Sequence, residues 1–296
     1  CFEQKYALMR LSTSQIQQYH EHGYLVLEHF LDAKILAAAQ AQLHLHYPTP
    51  ASYHKNPSAY PEFSASQFAG LVNFPWASFD LNRIVVSDDM LELAEQILET
   101  GDIRITKGEL WAKYQGAINY DQMFHRDFGN HTLVVPREDH RWKELTTFIY
   151  LSDVTKGNGA TALIPRQHTD HIPLGSRYLE DENEFEDHVI FIEAPAGSLV
   201  LYSYDVFHRG VQIDTPGGYR FMMLADYARR DAPWIDRHAW PHHGGRKEMQ
   251  EFIEGINVKQ RNLFDIPPPG HPYWNTQTLK DMQIRYPGMD QIGRAH

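Results

Sequence analysis

The chain has 296 residues, 42% of them hydrophobic and 12% aromatic, which is enough to bury one sizeable core. Its formal net charge is -11, and no run of Lys and Arg offers the basic stripe that nucleic acid or an anionic membrane surface would need. There is one cysteine, Cys1, so an intramolecular disulfide and a cysteine-based metal cluster are both excluded. That usage fits a reducing compartment, and the expected location is cytoplasmic. No apolar stretch reaches the ~18 residues of a membrane span, and no signal segment opens the chain. Either terminus reads as a fragment edge or a cloning remnant.

Taken in chain order, residues 12–22 predict a helix. Ser12 and Gln15 form a capping-box pattern, and Gly23 stops the segment. Tyr24 to Leu27 predicts a strand. Asp32 caps a second helix, whose Ile35, Leu36, Ala39 and Leu43 have helical spacing. Residues 47–66 read as a loop rich in Pro, Ser and Tyr. A third helix is expected over 88–99, with Ser87 as N-cap, Asp88 and Asp89 at its positive end, and Gly101 as its stop.

From about residue 103 short β-like runs alternate with turn residues. The runs are 103–106, 109–114, 146–151, 160–164, 189–193, 198–202 and 220–227. Between them lie Gly-rich turns such as 156–159 and 215–218. This pattern predicts a sandwich or barrel. The tail, 231–296, reads as an irregular extension packed on the same domain, with one short helix near 246–254. The domain itself is expected over 1–230, helical over 11–100 and β over 103–228. The fold class is mainly β with flanking helices.

Histidine is abundant, with 18 copies, and a His-x-Asp match is expected about once by chance. It occurs twice, at His125/Asp127 and at His168/Asp170. Context favours the first. His125 and Asp127 follow a predicted strand, and residues i and i+2 of an extended segment turn their side chains to one side. His208 follows a Gly turn and a strand. Two His and one Asp can occupy one face of a metal and leave the other positions open, the 2-His-1-carboxylate arrangement of non-heme Fe(II) oxygenases. Arg220 opens the next strand and is expected beside His208 on a neighbouring antiparallel strand. A guanidinium there can take the far carboxylate of a dicarboxylate in a bidentate pair.

Other candidates are weaker. His44 and His46 point apart on a predicted helix. His242 and His243 lie in the irregular tail. The turn at Lys156–Gly159 has no helix after it to cradle a phosphate, and no G-x-S-x-G nucleophile turn exists.

With these residues in hand, the chain resembles the phytanoyl-CoA dioxygenase family over about residues 11–227. The likeness rests on four motifs in order. They are LSTSQIQQYHEHGYLVLEHFL, FHRDFGN, YLSDVTKGNGATALIPRQH, and APAGSLVLYSYDVFHRGV followed by GGYRFMMLADY. The resemblance implies a double-stranded β-helix of jelly-roll or cupin-like type, with Fe(II), 2-oxoglutarate and O2 as cofactors. His125, Asp127 and His208 would hold the iron, and Arg220 would pair with the C5 carboxylate of 2-oxoglutarate. Phe148 sits where some relatives place an aromatic residue against the cosubstrate. Asp127 speaks for hydroxylation, since related halogenases carry a small residue there. The segment HRGVQID departs from the His-x-Ser-x-x-Asn form of many relatives. The expected partner is a small-molecule substrate. Tyr114, Arg126, Phe128, Trp142 and Tyr204 are placed near the mouth, and Arg126 is read as meeting a substrate carboxylate or a surface acid. Two rival readings stay open: a cupin-like metalloenzyme that does not use 2-oxoglutarate, and a non-catalytic barrel binding protein.

Overall fold

The computed structural model describes residues 9–128, 136, 143–232, 240 and 246–272, and in the tail 274, 276, 279, 282 and 286–289. Trp142, His242 and His243 lie outside the described residues.

The helices at the amino-terminal end begin where their caps dictate. Helix α1 (Thr13–His22) starts at Ser12, whose hydroxyl accepts from Gln15 N while the Gln15 side chain accepts from Ser12 N. That reciprocal pair satisfies two of the donors a helix start leaves orphaned. The helix stops at Gly23, which is left-handed at φ 78°. Strand β1 (Tyr24–Leu27) follows, then α2 (Ala33–Leu43), capped by Asp32 on Lys34 N. The stretch expected to be a loop contains α3 (Pro50–Lys55) and two 3-10 turns. Thr49 accepts from Ser52 N and Pro50 takes the first helical position, so the Thr-Pro pair is a helix start.

Next come β2 (Leu71–Asn73), α4 (Phe79–Ile84) and α5 (Asp88–Leu98). Neither β2 nor α4 was expected. Helix α5 buries Met90, Leu91, Leu93, Ala94, Ile97 and Leu98, at about 1.5–3 kcal/mol for each large side chain fully buried. It ends at Glu99 in the left-handed conformation (φ 57°), two residues before the glycine expected to stop it.

The strands then build two antiparallel sheets. They are β3 (Ile103–Tyr114), β4 (Glu144–Tyr150), β5 (Ala162–Leu163), β6 (Ile190–Phe191), β7 (Leu199–Ser203), β8 (His208–Arg209) and β9 (Tyr219–Arg229). The larger sheet has the order β1-β7-β4-β9-β3-β2, the smaller β6-β5-β8. The fold is therefore mainly β with flanking helices. The two expected runs at 103–106 and 109–114 are one strand interrupted by an irregularity between Ile105 and Lys107.

Both faces of the large sheet are covered, so its strands read as nearly continuous apolar runs. One face carries Leu110, Leu145, Leu199, Leu201, Phe221, Met223 and Tyr227 against the helices. The other carries Phe148, Tyr150, Val200, Tyr202, Met222 and Leu224 against Val154, Leu163 and Ile192 at the small sheet. The irregularity at Thr106 decides which side chains reach that inner space. Ile103 and Ile105 belong to the helix-facing core. After the extra residue the parity reverses, and Lys107, Glu109 and Trp111 line the inner cavity.

Described tail residues pack on the same helix-facing core. Helix α6 (Lys247–Gly255) inserts Phe252 edge-on against Phe74, and Trp240 donates its indole N–H to Ile105 O. A short α7 (Val258–Asn262) follows, with an Asn257/Gln260 capping box. Among the described residues no helix is long and apolar enough to cross a membrane.

Candidate metal centre

Backbone pairing sets the two histidines side by side. His125 N donates to His208 O and His208 N donates to His125 O, both at 3.0 Å. Residues that exchange both bonds across an antiparallel pair lie directly opposite each other. The two rings are 4.7 Å apart between centroids. Each Nδ1 lies against a main-chain carbonyl two residues earlier, Met123 O at 2.9 Å for His125 and Val206 O at 3.1 Å for His208. A carbonyl can only accept, so Nδ1 carries the proton and Nε2 keeps a free lone pair. Asp127 completes the group, with Oδ1 3.7 Å from His125 Nε2 and Oδ2 3.5 Å from His208 Nε2. The three donor atoms lie within 4.8 Å of one another. A divalent first-row ion takes such ligands at roughly 2.0–2.2 Å, so a shared ion fits after sub-ångström closure.

Burial, opposed by Asp127 and assisted by His125, lowers His208 to about 4. The imidazole is therefore neutral at pH 7, the form that ligates a metal. The unfolded chain takes this proton near 6.5 and the folded chain only near 4. Above pH 6.5 both states are neutral and the stability is intact; as pH falls from 6.5 towards 4 the unfolded state alone binds the proton. We expect this residue to remove about 3 kcal/mol of stability from the metal-free protein across that window. Urea unfolding at pH 7 and pH 4.5, with His208→Gln as the control, reads the difference. A slope of equal size in the control would assign it to other groups.

The triad opens into a cavity of about 680 Å³ between the sheets. Lys107, Glu109, Trp111, Phe148 and Tyr202 line its interior. Phe148 thus faces inward, 5.6 Å from the Tyr202 ring. The Lys107 ammonium sits 2.7 Å from Asp226 Oδ2, both buried. Burial alone would lower this lysine, but Asp226, Glu109 and Asp127 reverse that and hold it above the ordinary value. Four large, mostly apolar side chains stand at the opening, Phe68 (42% exposed), Tyr120 (51%), Met123 (60%) and Tyr178 (44%), with Gln122 and Arg177 beside them.

Arg220 lies deeper, and the small-sheet position of His208 corrects one expectation. β8 pairs with β5, whereas β9 pairs with β3 and β4, so His208 and Arg220 stand on different sheets. Arg220 itself does not line the cavity; its neighbours Trp111 and Met222 do. Its guanidinium is 5.2 Å from the Trp111 ring and donates to Gly159 O, while Nε and Nη2 have no hydrogen-bond partner. Directly across the β3–β9 ladder is Lys113. Its amino group is 4.7 Å from the same Trp111 ring and donates to Gln67 Oε1. Burial and Arg220 push Lys113 well down, and burial lowers Arg220 to about 10. Two buried basic side chains share one wall, and neither forms an ion pair with a described carboxylate. Sequence reasoning missed Lys113; its signal was only its place opposite Arg220, visible once the register is known.

The expected mouth residues are elsewhere. Tyr114 faces the helix side and stacks on Tyr53 at 4.3 Å. Arg126 is neither exposed nor in the cavity. It donates to Pro173 O and Ser176 O and lies 4.0 Å from the Phe207 ring, so it fastens the 173–177 loop. Phe128 and Tyr204 are buried and do not line the cavity. His168 stacks on His188 at 3.9 Å, away from the triad. His44 closes α2 and His46 lies beyond it.

The fold is similar to that of several solved enzymes. EctD from S. alaskensis, solved with 2-oxoglutarate and 5-hydroxyectoine, is 18% identical, with a TM-score of 0.57, 77% of this chain and 84% of that one covered. The non-heme alpha ketoglutarate dependent epimerase SnoN from nogalamycin biosynthesis is 17% identical, with a TM-score of 0.54 and coverage of 73% and 82%. HygX from Streptomyces hygroscopicus, solved with nickel and 2-oxoglutarate, is 15% identical, with a TM-score of 0.53 and coverage of 77% and 97%. No curated protein matches the sequence. The family model for phytanoyl-CoA dioxygenase (PhyH) matches residues 19–222, a span that runs from α1 through both histidines and Asp127 to Met222 on β9. Over most of its length, and across the whole candidate metal centre, this chain belongs to the phytanoyl-CoA dioxygenase (PhyH) family.

Proposed function

We propose that this protein is an Fe(II)- and 2-oxoglutarate-dependent oxygenase that hydroxylates an unactivated C–H bond of a small organic molecule. One observation carries the reading: His125, Asp127 and His208 converge from one side and leave the cavity side open. Two nitrogens and one oxygen in a facial set suit iron that must also accept a chelating cosubstrate and O2. Bound there, iron with 2-oxoglutarate supplies the oxidative decarboxylation to succinate and CO2 that drives attack on the substrate.

The chain's own groups do the rest. The Met123 and Val206 carbonyls fix both imidazoles as Nε2 ligands. Arg220 gives the inner wall a positive charge for the distal carboxylate of the oxo acid, and Lys113 stands opposite it as a further N–H donor. Phe148, Met222 and Leu224 keep that wall apolar, so the charge attraction is weakly screened. The mostly apolar opening admits a substrate with an extended carbon surface. The Asp127 carboxylate fills the position that a halide would need, which supports hydroxylation.

The test is anaerobic titration of 2-oxoglutarate into Fe(II)-loaded protein. A visible metal-to-ligand charge-transfer band should grow to one equivalent, and product mass should rise by one oxygen atom once a substrate is found. Iron demonstrably bound without the band would remove 2-oxoglutarate from the reading. Succinate release without oxygen incorporation would keep the cosubstrate and remove hydroxylation.

A further inference from the structure

We infer that Tyr202 is a positioning residue for the metal carboxylate: its phenol donates to Asp127 Oδ2 at 2.8 Å and fixes how that carboxylate turns toward the ion. The inference rests on the metal centre proposed above.

The two partners differ in rigidity. Tyr202 is on an interior strand of the large sheet, paired through its backbone with Tyr24 on one side and Thr146 on the other. Asp127 sits in a turn after His125, outside every strand. A carboxylate on a turn has two equivalent oxygens and a rotatable bond, so it can bind an ion through one oxygen or both. With both, it would occupy a position that a chelating oxo acid and O2 require. A donor held by the sheet on Oδ2 fixes the rotation of the carboxylate and disfavours binding through both oxygens. It also withdraws charge from the carboxylate, which makes it a weaker electron donor to the metal.

The hydroxyl has no packing role of its own. The ring lies 5.6 Å from Phe148 and 4.9 Å from His208, in an inner layer of apolar side chains. A phenylalanine would make those ring contacts equally well. A buried hydroxyl is unfavourable without a partner, and here the partner is the carboxylate.

Tyr202→Phe tests this with the metal alone and with the cosubstrate. Hydrogen-bonded groups behind metal ligands are generally worth ~10–100-fold in affinity. We expect Mn(II), followed by the EPR signal of the free ion, to bind about tenfold more weakly than to wild type, because ordering a loose carboxylate on a turn costs more than its stronger donation returns. In the Fe(II) and 2-oxoglutarate complex the charge-transfer band should move to longer wavelength, because the unshielded carboxylate makes iron more electron-rich. In the Asp127→Ala background, which has no acceptor for the phenol, the same substitution should change Mn(II) affinity less than twofold, whereas general damage to the site would still weaken it. Equal Mn(II) affinity and an unmoved band would overturn the role of Tyr202, as would a full loss persisting in the Asp127→Ala background. If wild type itself shows no band, the 2-oxoglutarate reading falls, and the Mn(II) titrations still decide the role of Tyr202.

Discussion

His208→Ala should leave a folded chain that no longer retains its metal. The substitution removes one of three ligand atoms, and the loss should exceed the ~10–100-fold that groups behind the ligands command. Turnover should fall with it, by on the order of 10³-fold or more, as expected when the metal carries the chemistry. The fold survives for a specific reason. His208 is tied to His125 through backbone N–H and C=O groups, which alanine keeps. Its imidazole borders the cavity, so its removal enlarges existing space. The variant should also lose the part of the acid sensitivity between pH 6.5 and pH 4 that this imidazole supplies. Metal content after gel filtration, circular dichroism and the pH series check the three statements. Retention of one equivalent of iron by His208→Ala would move the metal away from this triad.

Several elements were legible because their signals are local. The capping box at Ser12 and Gln15, the Asp32 cap and the Ser87 cap each depend on neighbours within three residues. The Thr49-Pro50 start of α3 is equally local and could have been read; the surrounding prolines masked it. The metal candidates were also legible, since chemistry limits ligands to a few residue types and four motifs fix their order. The cavity lining was not. Which of Trp111 and Tyr114 faces inward depends on the parity of one strand, and an extra residue at Thr106 sets that parity. No signal within three residues predicts such an irregularity, because it is settled by how β3 meets β9. The same holds for Arg126, which sequence placed beside the metal ligands and the fold buries under a distant loop. His208 and Arg220 were assigned to adjacent strands because they are close in sequence; the jump between sheets after His208 is a topological fact with no local signature.

Arg220→Met should stabilise the protein and abolish cosubstrate binding at once. The two effects have one physical source. Arg220 is 1% exposed, with Nε and Nη2 unpartnered, and Lys113 faces it across the β3–β9 ladder. A buried cation without a counter-charge costs several kcal/mol of desolvation, and Lys113 opposite it offers none. Its own fold does not repay that cost, which is the signature of a group kept for a ligand. Methionine fills similar volume with no charge and lies between the Trp111 ring and Met222 without strain. Against the gain stands the lost bond to Gly159 O, worth about 1 kcal/mol. The net expectation is a gain of about 1–3 kcal/mol, seen as a rise in melting temperature of several degrees. Binding moves the other way. A desolvated charge pair truncated on one side typically forfeits 2–5 kcal/mol, so 2-oxoglutarate affinity should fall by about 30- to 5,000-fold. Lys113 alone cannot recover it, because burial already favours its neutral form and a single ammonium lacks the bidentate fork of a guanidinium. Differential scanning fluorimetry and the anaerobic 2-oxoglutarate titration read the two effects on one sample. A lower melting temperature would show that Arg220 is compensated within the fold. Unchanged 2-oxoglutarate affinity would show that the charge on this wall serves another anion.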